Sequence, residues 1–247
     1  MTNGTDSPGG LMVRKLESIF TLTDEEQQAL RDLRIELANV EPDRDIVSLG
    51  DRPSQTCLLL DGFTCVYKGS TDGKRQIMAL QVPGDIPDLH SLHLEVMDSS
   101  IAAISPCKVG FIQHSDLRRV CERYPRIAAA FWRETLVDAS IFREWLLNIG
   151  RRKTYSRMAH LLCELLFRLR AVGLVESGTF DLPITQVELA DLLGTSPVHA
   201  NRVIQALRAD GLIRTQGKTV TVPDLAKLVE AGDFDPLYLH LKENETA

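Results

Sequence analysis

The stretch TQVELADLLGTSPVHANRVIQALRADGLI, which runs from Thr185 to Ile213, carries the start and stop signals of two short helices. Thr185 and Glu188 have the spacing of a capping box, which marks the start of a helix. Gly194 suits the left-handed position at which a helix ends. Ser196, followed by a proline, then has the order of an N-cap and a first helical residue. Two short helices separated by a glycine-containing turn predict a helix-turn-helix.

The second of these helices, which Gly211 closes, has one aliphatic face and one mostly polar face. The aliphatic residues that we expect to be buried are Ala200, Val203, Ile204 and Leu207. The other face then presents its N-terminal residues to base edges in the major groove of DNA. Arg202 can pair bidentately with guanine, and Asn201 or Gln205 with adenine. Val198 can contact a thymine methyl group. The alternative for these polar residues is a solvated helix face.

Positive charge is concentrated in the same part of the chain. The net charge of the 247 residues is −6, but residues 151–218 hold ten cations and six anions, so this part carries about +4 and the rest about −10. Such an asymmetry steers one end of a protein toward phosphate. We predict phosphate contacts at the helix starts near Thr185 and Ser196, where backbone N–H groups are unpaired. A further contact is predicted for Lys218 in a hairpin turn, although Lys218 can also be an ordinary exposed lysine.

The front half has the pattern of a small antiparallel β structure. Short apolar or alternating runs recur between about residue 45 and residue 113, and turn signals such as Asp61-Gly62 separate them. We expect helices over about 11–38, with Thr23 as a cap, and a disordered leader over Met1–Gly10. No apolar run approaches the roughly 20 residues of a membrane span, and no secretory signal is present, so we expect no membrane partner and a cytoplasmic location.

A long helix is predicted from Ile127 to about Ile149, and it has two apolar faces. The residues of one face are Ile127, Phe131, Phe142, Trp145 and Ile149. The residues of the opposite face are Trp132, Leu136 and Leu147. A helix with two apolar faces needs two partners. Its own β domain supplies one, and the same helix of a second subunit most simply supplies the other, as a coiled coil. We assign the first set to the dimer helix; the alternative is that one subunit buries both faces.

These motifs together resemble the Crp/Fnr regulators. The opening stretch looks like their winged-helix domain, over Gly150 to Val222, and Gly62, Gly73 and Gly84-Asp85 match glycines of their β-roll. The resemblance implies an α+β fold with an N-terminal antiparallel β-roll (jelly-roll-like), a long dimerisation helix and a C-terminal winged helix-turn-helix. The implied domains are a cyclic-nucleotide-binding-like sensor roll over 11–115, the dimerisation helix over 116–149, the DNA-binding domain over 150–223, and a C-terminal helix and tail over 224–247.

The resemblance also implies a bacterial transcription regulator that binds a palindromic site in double-stranded promoter DNA as a homodimer and acts on RNA polymerase. Only Arg202 keeps a residue that is frequent at the family's base-contacting positions. Val198 replaces the frequent acid there, so we expect a target sequence that differs from the best-known sites of the family. With Gln205 added from the helix face, the predicted base-reading residues are Pro197, Val198, Asn201, Arg202 and Gln205.

The sensor half departs from the family's cyclic-nucleotide site. In members that bind these ligands, a Gly-Glu pair holds the ribose and an Arg-Ser or Arg-Thr pair holds the phosphate. Here Pro87-Asp88 and Met97-Asp98-Ser99 stand near those positions, and no Lys or Arg lies between Arg75 and Lys108. A buried phosphate needs a paired cation or directed N–H groups, so binding in the usual way is disfavoured unless a remote cation folds over the pocket. We expect a degenerate pocket that binds an unidentified small-molecule effector or nothing, formed by Gly84, Asp85, Asp88, Asp98 and Ser99.

Other kinds of site have weaker support. His90 and His93 are three residues apart and suit a haem ligand, although surface histidines are the plainer interpretation. With Asp85 and Asp88 they also give a weak acid/base cluster, and we predict no enzyme, no metal site and no cofactor. The five cysteines are too far apart for a C-x-x-C pair, so we expect small buried residues rather than a redox or cluster site. The second functional hypothesis is a cyclic-nucleotide-binding interaction module without DNA activity, which the helix-turn-helix disfavours.

Overall fold

The computed structural model describes residues 7–71, 73 and 75–242. The contacts within the chain divide it into two compact units. The first comprises Met1–Val66 and Gln81–Asp138, and the second comprises Tyr67–Leu80 and Ala139–Ala247. Within the part of the chain that the structure describes, no helix is long and apolar enough to cross a membrane.

The first helix begins earlier than the sequence indicates. Residues 1–6 of the predicted leader lie outside the described residues. For the rest of the leader the prediction is wrong, because Ser7 Oγ accepts a hydrogen bond of 3.2 Å from the Gly10 N–H and caps a helix that starts at Pro8. Met12 and Leu16 of this helix are buried in the core of the first unit, which holds the segment in place.

Two helices, a run of short strands and two further helices make up the chain as far as the end of the long helix. The elements in chain order are α1 (Pro8–Ile19), α2 (Asp24–Arg31), β1 (Glu36–Val40), β2 (Arg44–Val47), β3 (Gln55–Asp61), β4 (Thr64–Gly69), β5 (Arg75–Gln81), a 3₁₀ turn (Leu89–Leu92), β6 (Ser100–Ala103), β7 (Cys107–Gln113), α3 (His114–Arg123) and α4 (Pro125–Arg151). The strands form one sheet in the order β1-β7-β3 and another in the order β2-β6-β4-β5. Antiparallel pairing joins β1 to β7, β3 to β7 and β2 to β6, which confirms the predicted antiparallel roll.

Two strands at the start of the roll correct the sequence prediction. The helical region does not extend to position 38, because β1 begins at Glu36 and pairs with β7. Neither β1 nor β2 has the clear alternation of apolar residues that identifies a half-buried strand, since most of their side chains are partly or fully exposed. Their backbone pairing with distant strands, rather than their own pattern, makes them strands.

The second half of the chain contains the predicted helices and a small sheet. Its elements are α5 (Thr154–Ala171), β8 (Thr179–Asp181), α6 (Gln186–Leu193), α7 (Pro197–Ala209), β9 (Arg214–Gln216), β10 (Thr219–Thr221), α8 (Leu225–Gly232) and a 3₁₀ turn (Pro236–Leu239). The sheet has the order β8-β10-β9. The hairpin that contains Lys218 and the C-terminal helix are confirmed, whereas the strand β8 was not predicted. Together α6, α7 and the hairpin give the winged helix-turn-helix architecture.

The apolar residues of α4 divide differently from the prediction. Three of the five residues assigned to the dimer helix are buried within the chain: Ile127, Phe131 and Trp145 are 0%, 4% and 6% exposed. Ile127 and Phe131 pack in the core of the first unit, so these side chains cannot contact a second subunit. Phe142 and Ile149, the other two, remain partly exposed. The strongly exposed apolar residues of α4 are Trp132, Leu136, Leu146 and Leu147.

A buried carboxylate lies at the edge of the roll. Asp88 is 1% exposed, and its Oδ1 accepts hydrogen bonds from the Cys57 N–H, at 2.8 Å, and from the Thr56 hydroxyl. Its Oδ2 has no hydrogen-bond partner among the described residues. Burial raises the pKa of Asp88 to about 6, against the lowering effect of the two hydrogen bonds. Because the folded-state pKa lies above the value of about 4 in an unfolded chain, folding favours the protonated form.

This carboxyl group should therefore cost stability as the pH rises. Its favourable contribution is complete below about pH 4 and is lost as the pH rises through about 6. We expect Asp88→Asn to remove this loss, so that between pH 4 and pH 7 the variant gains roughly 2–3 kcal/mol of unfolding free energy relative to the wild type. Urea unfolding at several pH values measures the difference. Glu41→Gln, which removes an exposed carboxylate, is the control, and its unfolding free energy should depend on pH as that of the wild type does. If the unfolding free energies of Asp88→Asn and the wild type ran parallel with pH, the raised pKa of Asp88 would be contradicted.

Candidate nucleic-acid interface

The two helices of the motif begin and end as the sequence predicts. At the start of α6, the Thr185 N–H donates to Glu188 Oε2 at 2.5 Å, and the Glu188 N–H donates to Thr185 Oγ1 at 3.3 Å, which completes the capping box. Gly194 ends α6 with φ 59° and ψ 46°. This left-handed conformation carries little penalty for glycine and sets the turn between the helices.

The helix α7 is held by its aliphatic face. Ser196 Oγ accepts a hydrogen bond of 3.3 Å from the His199 N–H, and Pro197 occupies the first helical position. Ala200 and Leu207 are 0% exposed and Val203 is 6% exposed. Ile204, predicted to be buried with them, is only half-buried. The face that the sequence predicts to be internal therefore does anchor α7 to the rest of the second unit.

The predicted base-reading residues lie on the opposite side of α7. Pro197, Val198, Arg202 and Gln205 are exposed, Val198 to 64%, and Asn201 is partly exposed. Because Arg202 is exposed, its guanidinium is accessible to a ligand.

A neighbouring arginine forms a hydrogen bond with the Gln205 side chain. Arg208 Nη1 donates to Gln205 Oε1 at 3.3 Å. The two residues are one helical turn apart, and the contact engages the amide oxygen of Gln205 but not its amide N–H groups. The motif alone gives no indication of it, because the contact depends on the rotamers of two exposed side chains.

The residues predicted to contact phosphate are all at the surface. Thr185 and Ser196 lie at the starts of α6 and α7, and Lys218 is exposed in the β9–β10 turn. The Lys218 carbonyl accepts a hydrogen bond of 2.7 Å from the Leu182 N–H, which ties the turn to the end of β8. The arrangement offers two helix N-termini and one ammonium group, which are the groups that bind phosphate oxygens in protein–DNA complexes.

A contact from β5 supports the first helix of the motif, and the sequence does not predict it. Arg75 Nε donates to Asp191 Oδ2 at 2.8 Å, and Gln76 Nε2 donates to the Asp191 carbonyl at 2.9 Å. Both residues of β5 belong to the same compact unit as α6. The residues that meet here are more than a hundred positions apart, so no local pattern could reveal the pair.

The residues assigned to the effector pocket are largely buried and bonded to protein groups. Asp85 is 2% exposed; its Oδ1 accepts from Lys15 Nζ at 2.7 Å and its Oδ2 from the Val82 N–H at 2.7 Å. Ser99 is buried and Asp98 is exposed, with 3.5 Å between Ser99 Oγ and Asp98 Oδ1. Gly84 precedes Asp85 with a left-handed φ of 97°.

Lys15 is a remote cation that the sequence pattern does not place near this region. Its Nζ lies 3.2 Å from Glu134 Oε1 of α4 as well as 2.7 Å from Asp85, and all three side chains are at most 10% exposed. The ammonium group from α1 thus lies between two buried carboxylates. A buried cation of this kind is stabilised by its partners and would lose both if it turned to a phosphate.

The remaining candidates from the sequence show no metal-binding arrangement. His90 is partly buried and His93 is exposed. Burial lowers the pKa of His90, against a raising effect of Asp98. Among the described residues no group of three His, Cys, Asp or Glu side chains could hold a metal ion. The cysteines are free thiols, and four of the five are buried.

Comparison with known proteins agrees with these features. The family model of the Crp-like helix-turn-helix domain matches residues 156–231, and the model of the cyclic nucleotide-binding domain matches residues 37–124. The structure of FixK2 from Bradyrhizobium japonicum superposes with a TM-score of 0.72 over 81% of this chain and 98% of that chain. At 22% identity this likeness concerns the fold.

Two curated relatives extend over most of the chain. The transcriptional activator protein FnrL of Cereibacter sphaeroides is 30% identical over 193 residues, which cover 76% of this chain and 77% of FnrL. The anaerobic regulatory protein of Pasteurella multocida is 22% identical over 211 residues, which cover 85% of this chain and 77% of the relative. The exposed face of α7 is what a DNA-binding helix requires, and the domain matches, the fold and the relatives indicate the same kind of protein. The chain therefore belongs to the Crp/Fnr family of DNA-binding transcription regulators.

Proposed function

We propose that two copies of this regulator read a palindromic promoter site, each through the outward face of α7, and that the bound dimer acts on RNA polymerase in the bacterial cytoplasm. The observation that carries the proposal is the separation of the two faces of α7: Ala200 and Leu207 are fully buried, whereas Val198 is 64% exposed. In this proposal the chain acts by binding DNA and has no catalytic activity of its own.

The side chains on that face suggest which bases they read. The exposed guanidinium of Arg202 has the fork geometry that pairs with guanine O6 and N7. Asn201 is the better adenine reader, because adenine needs a carbonyl oxygen and Gln205 already shares its own with Arg208. Val198 offers a methyl surface that suits thymine. Each bidentate pair discriminates by roughly 1–3 kcal/mol.

A comparison of Arg202→Ala with Lys218→Ala tests the orientation of α7. We expect Arg202→Ala to reduce the difference in binding free energy between the specific and the shuffled duplex by roughly 1–3 kcal/mol. The substitution removes the base contact but leaves the fold intact. Lys218→Ala should instead weaken all duplexes alike and reduce the slope of log affinity against log salt by about one. Fluorescence anisotropy measures both, at two salt concentrations, with a duplex that the wild type selects from a random-sequence pool and with its shuffled version.

The control for this comparison is the oligomeric mass and the circular dichroism spectrum, which should be unchanged in both variants. Undiminished preference of Arg202→Ala for the selected duplex would contradict the proposed reading face.

The exposed apolar residues of α4 support a dimer seam that differs from the one predicted from the sequence. Trp132, Leu136 and Leu146 are 69%, 55% and 74% exposed. With Ala139 and Arg143 they form a row of five positions, 132, 136, 139, 143 and 146, whose intervals alternate between four and three residues. This spacing is that of a two-stranded coiled coil. Phe142 and Ile149, partly exposed, flank the seam.

Charge placed on this seam should separate the subunits. We expect the double variant Leu136→Glu/Leu146→Glu to run as a monomer in sedimentation equilibrium, because four like charges would face each other across the seam. Its affinity for a palindromic duplex should fall by about 100-fold or more, whereas binding to a single half-site should change little. Leu94→Glu, at a 56% exposed residue of the roll, is the matched control and should remain dimeric. A dimeric double variant would refute the seam.

The roll is the proposed place at which a signal modulates DNA binding. Asp85 is already paired with Lys15, and Asp88 is already bonded to Thr56 and Cys57. These contacts support a degenerate pocket that does not hold a cyclic nucleotide in the usual way, because the side chains available for ribose and phosphate are engaged within the protein.

A further inference from the structure

A C-terminal segment, of which residues 224–231 lie within the matched helix-turn-helix domain, packs on the junction between α4 and α5. We define the segment as residues 224–240, which contain α8 and the 3₁₀ turn Pro236–Leu239. Asp224 caps α8 by accepting from the Lys227 N–H, and Asp233 ends it with a left-handed φ of 46°. Only Arg152 and Lys153 separate the end of α4 from the start of α5.

Arg152, at that junction, binds both α4 and the C-terminal segment. On α4 its Nη1 donates to Glu144 Oε1 at 2.6 Å and to Asn148 Oδ1 at 2.8 Å. On the segment its Nη2 donates to the Asp233 carbonyl at 3.0 Å and to Asp233 Oδ2 at 3.1 Å, and its Nε donates to the same Oδ2 at 3.2 Å. The Arg152 side chain is 12% exposed and its bonds to α4 are partly buried, whereas the Asp233 side chain is 82% exposed. A planar guanidinium held on two sides fixes the direction of both partners.

A second set of contacts anchors the segment to α5. His160, which is fully buried, lies between the Gly232 carbonyl, 3.2 Å from its Nδ1, and the Tyr238 hydroxyl, 3.1 Å from its Nε2. The His160 and Tyr238 rings stack with their centroids 5.8 Å apart. The Tyr238 hydroxyl donates to Glu164 Oε2 at 2.8 Å.

The same carboxylate also reaches the helix before the junction. Glu164 is 0% exposed, and its Oε2 accepts from the Trp145 indole N–H of α4 at 3.0 Å. Arg168 Nη1 donates to its other oxygen at 2.9 Å and balances the buried charge. One side chain of α5 is thus bonded both to α4 and to the C-terminal segment.

We propose that Arg152 and the C-terminal segment form a clasp that sets the angle at which α5 leaves α4, and that Arg152 is therefore a positioning residue for DNA binding. The helix-turn-helix follows α5 in the same compact unit. In a dimer joined along α4, the angle at this junction fixes the distance and rotation between the two recognition helices. The clasp thereby determines which spacing of half-sites the regulator accepts. This inference rests on the homodimer proposed above.

The test compares two duplexes with each protein. One carries the site that the wild type selects from a random-sequence pool, and the other has one base pair inserted at its centre, which rotates one half-site by about 35° relative to the other. For the wild type we expect the insertion to reduce affinity about tenfold or more, which corresponds to a mismatch of about 1.4 kcal/mol in the rigid complex. For Arg152→Ala, which lacks the clasp contacts, we expect the two affinities to agree within about threefold.

Two further variants separate positioning from loss of charge or of fold. Arg151→Ala removes an exposed cation next to the junction and should weaken both duplexes equally, so that the wild-type ratio is kept. Asp233→Gly removes the carboxylate but keeps the carbonyl bond and the left-handed backbone, and it should give an intermediate ratio. If Arg152→Ala does not fold as a dimer, the ratio of the two affinities measured for Asp233→Gly decides whether the clasp sets the half-site spacing.

The clasp is overturned if the wild type does not distinguish the two duplexes, or if Arg152→Ala and Asp233→Gly keep the wild-type ratio. Failure of the wild type to select any duplex at all would instead contradict the proposed dimeric reader, so the two failures are distinguishable.

Discussion

The burial of one side of α7 determines what the other side can do. A helix of 13 residues is marginal in water by itself, so its stability comes from the packing of its aliphatic face. Val203 and Leu207 are buried and contribute roughly 1.5–3 kcal/mol each. Because the helical period is fixed, burying these residues turns Arg202 and Asn201 outward. The left-handed turn at Gly194 then fixes the direction in which α7 leaves α6. The chemistry of DNA recognition therefore depends on an apolar contact that touches no DNA.

Buried carboxylates connect separate elements in both compact units. In the first unit Asp85 and Glu134 share Lys15, which brings α1 to the roll and to α4. In the second unit Glu164 collects donors from three elements, namely Trp145, Tyr238 and Arg168. Buried ion pairs add little net stability, but breaking one is costly because a charge is left without its partner. In this chain they tie α1 and the C-terminal segment to specific buried partners, Lys15 to two carboxylates and Tyr238 to Glu164.

The long helix α4 takes part in two kinds of contact, and its side chains divide accordingly. Ile127, Phe131 and Trp145 are buried within the chain, whereas Trp132 and Leu146 are exposed. Both stripes consist of large apolar residues with helical spacing, and both therefore look alike in the sequence. The stripe that remains exposed is the one that we propose contacts a second copy. The same helix therefore contributes buried side chains to the chain's own packing and exposed side chains to the proposed dimer seam.

Local signals in the sequence were enough to predict the helix-turn-helix and the exposed face of α7. Their signals are local: a capping box at Thr185, a glycine at the helix end and an N-cap before a proline act within a few residues of one another. Long-range contacts in the folded chain were needed to find the strands β1 and β8, the partner of Lys15, the contact of β5 with α6 and the exposed face of α4. Each of these depends on groups far apart in the chain. Whether Lys15 meets Asp85, or Ile127 meets its own core, is set by the backbone path between them, and residue spacing carries no information about that path.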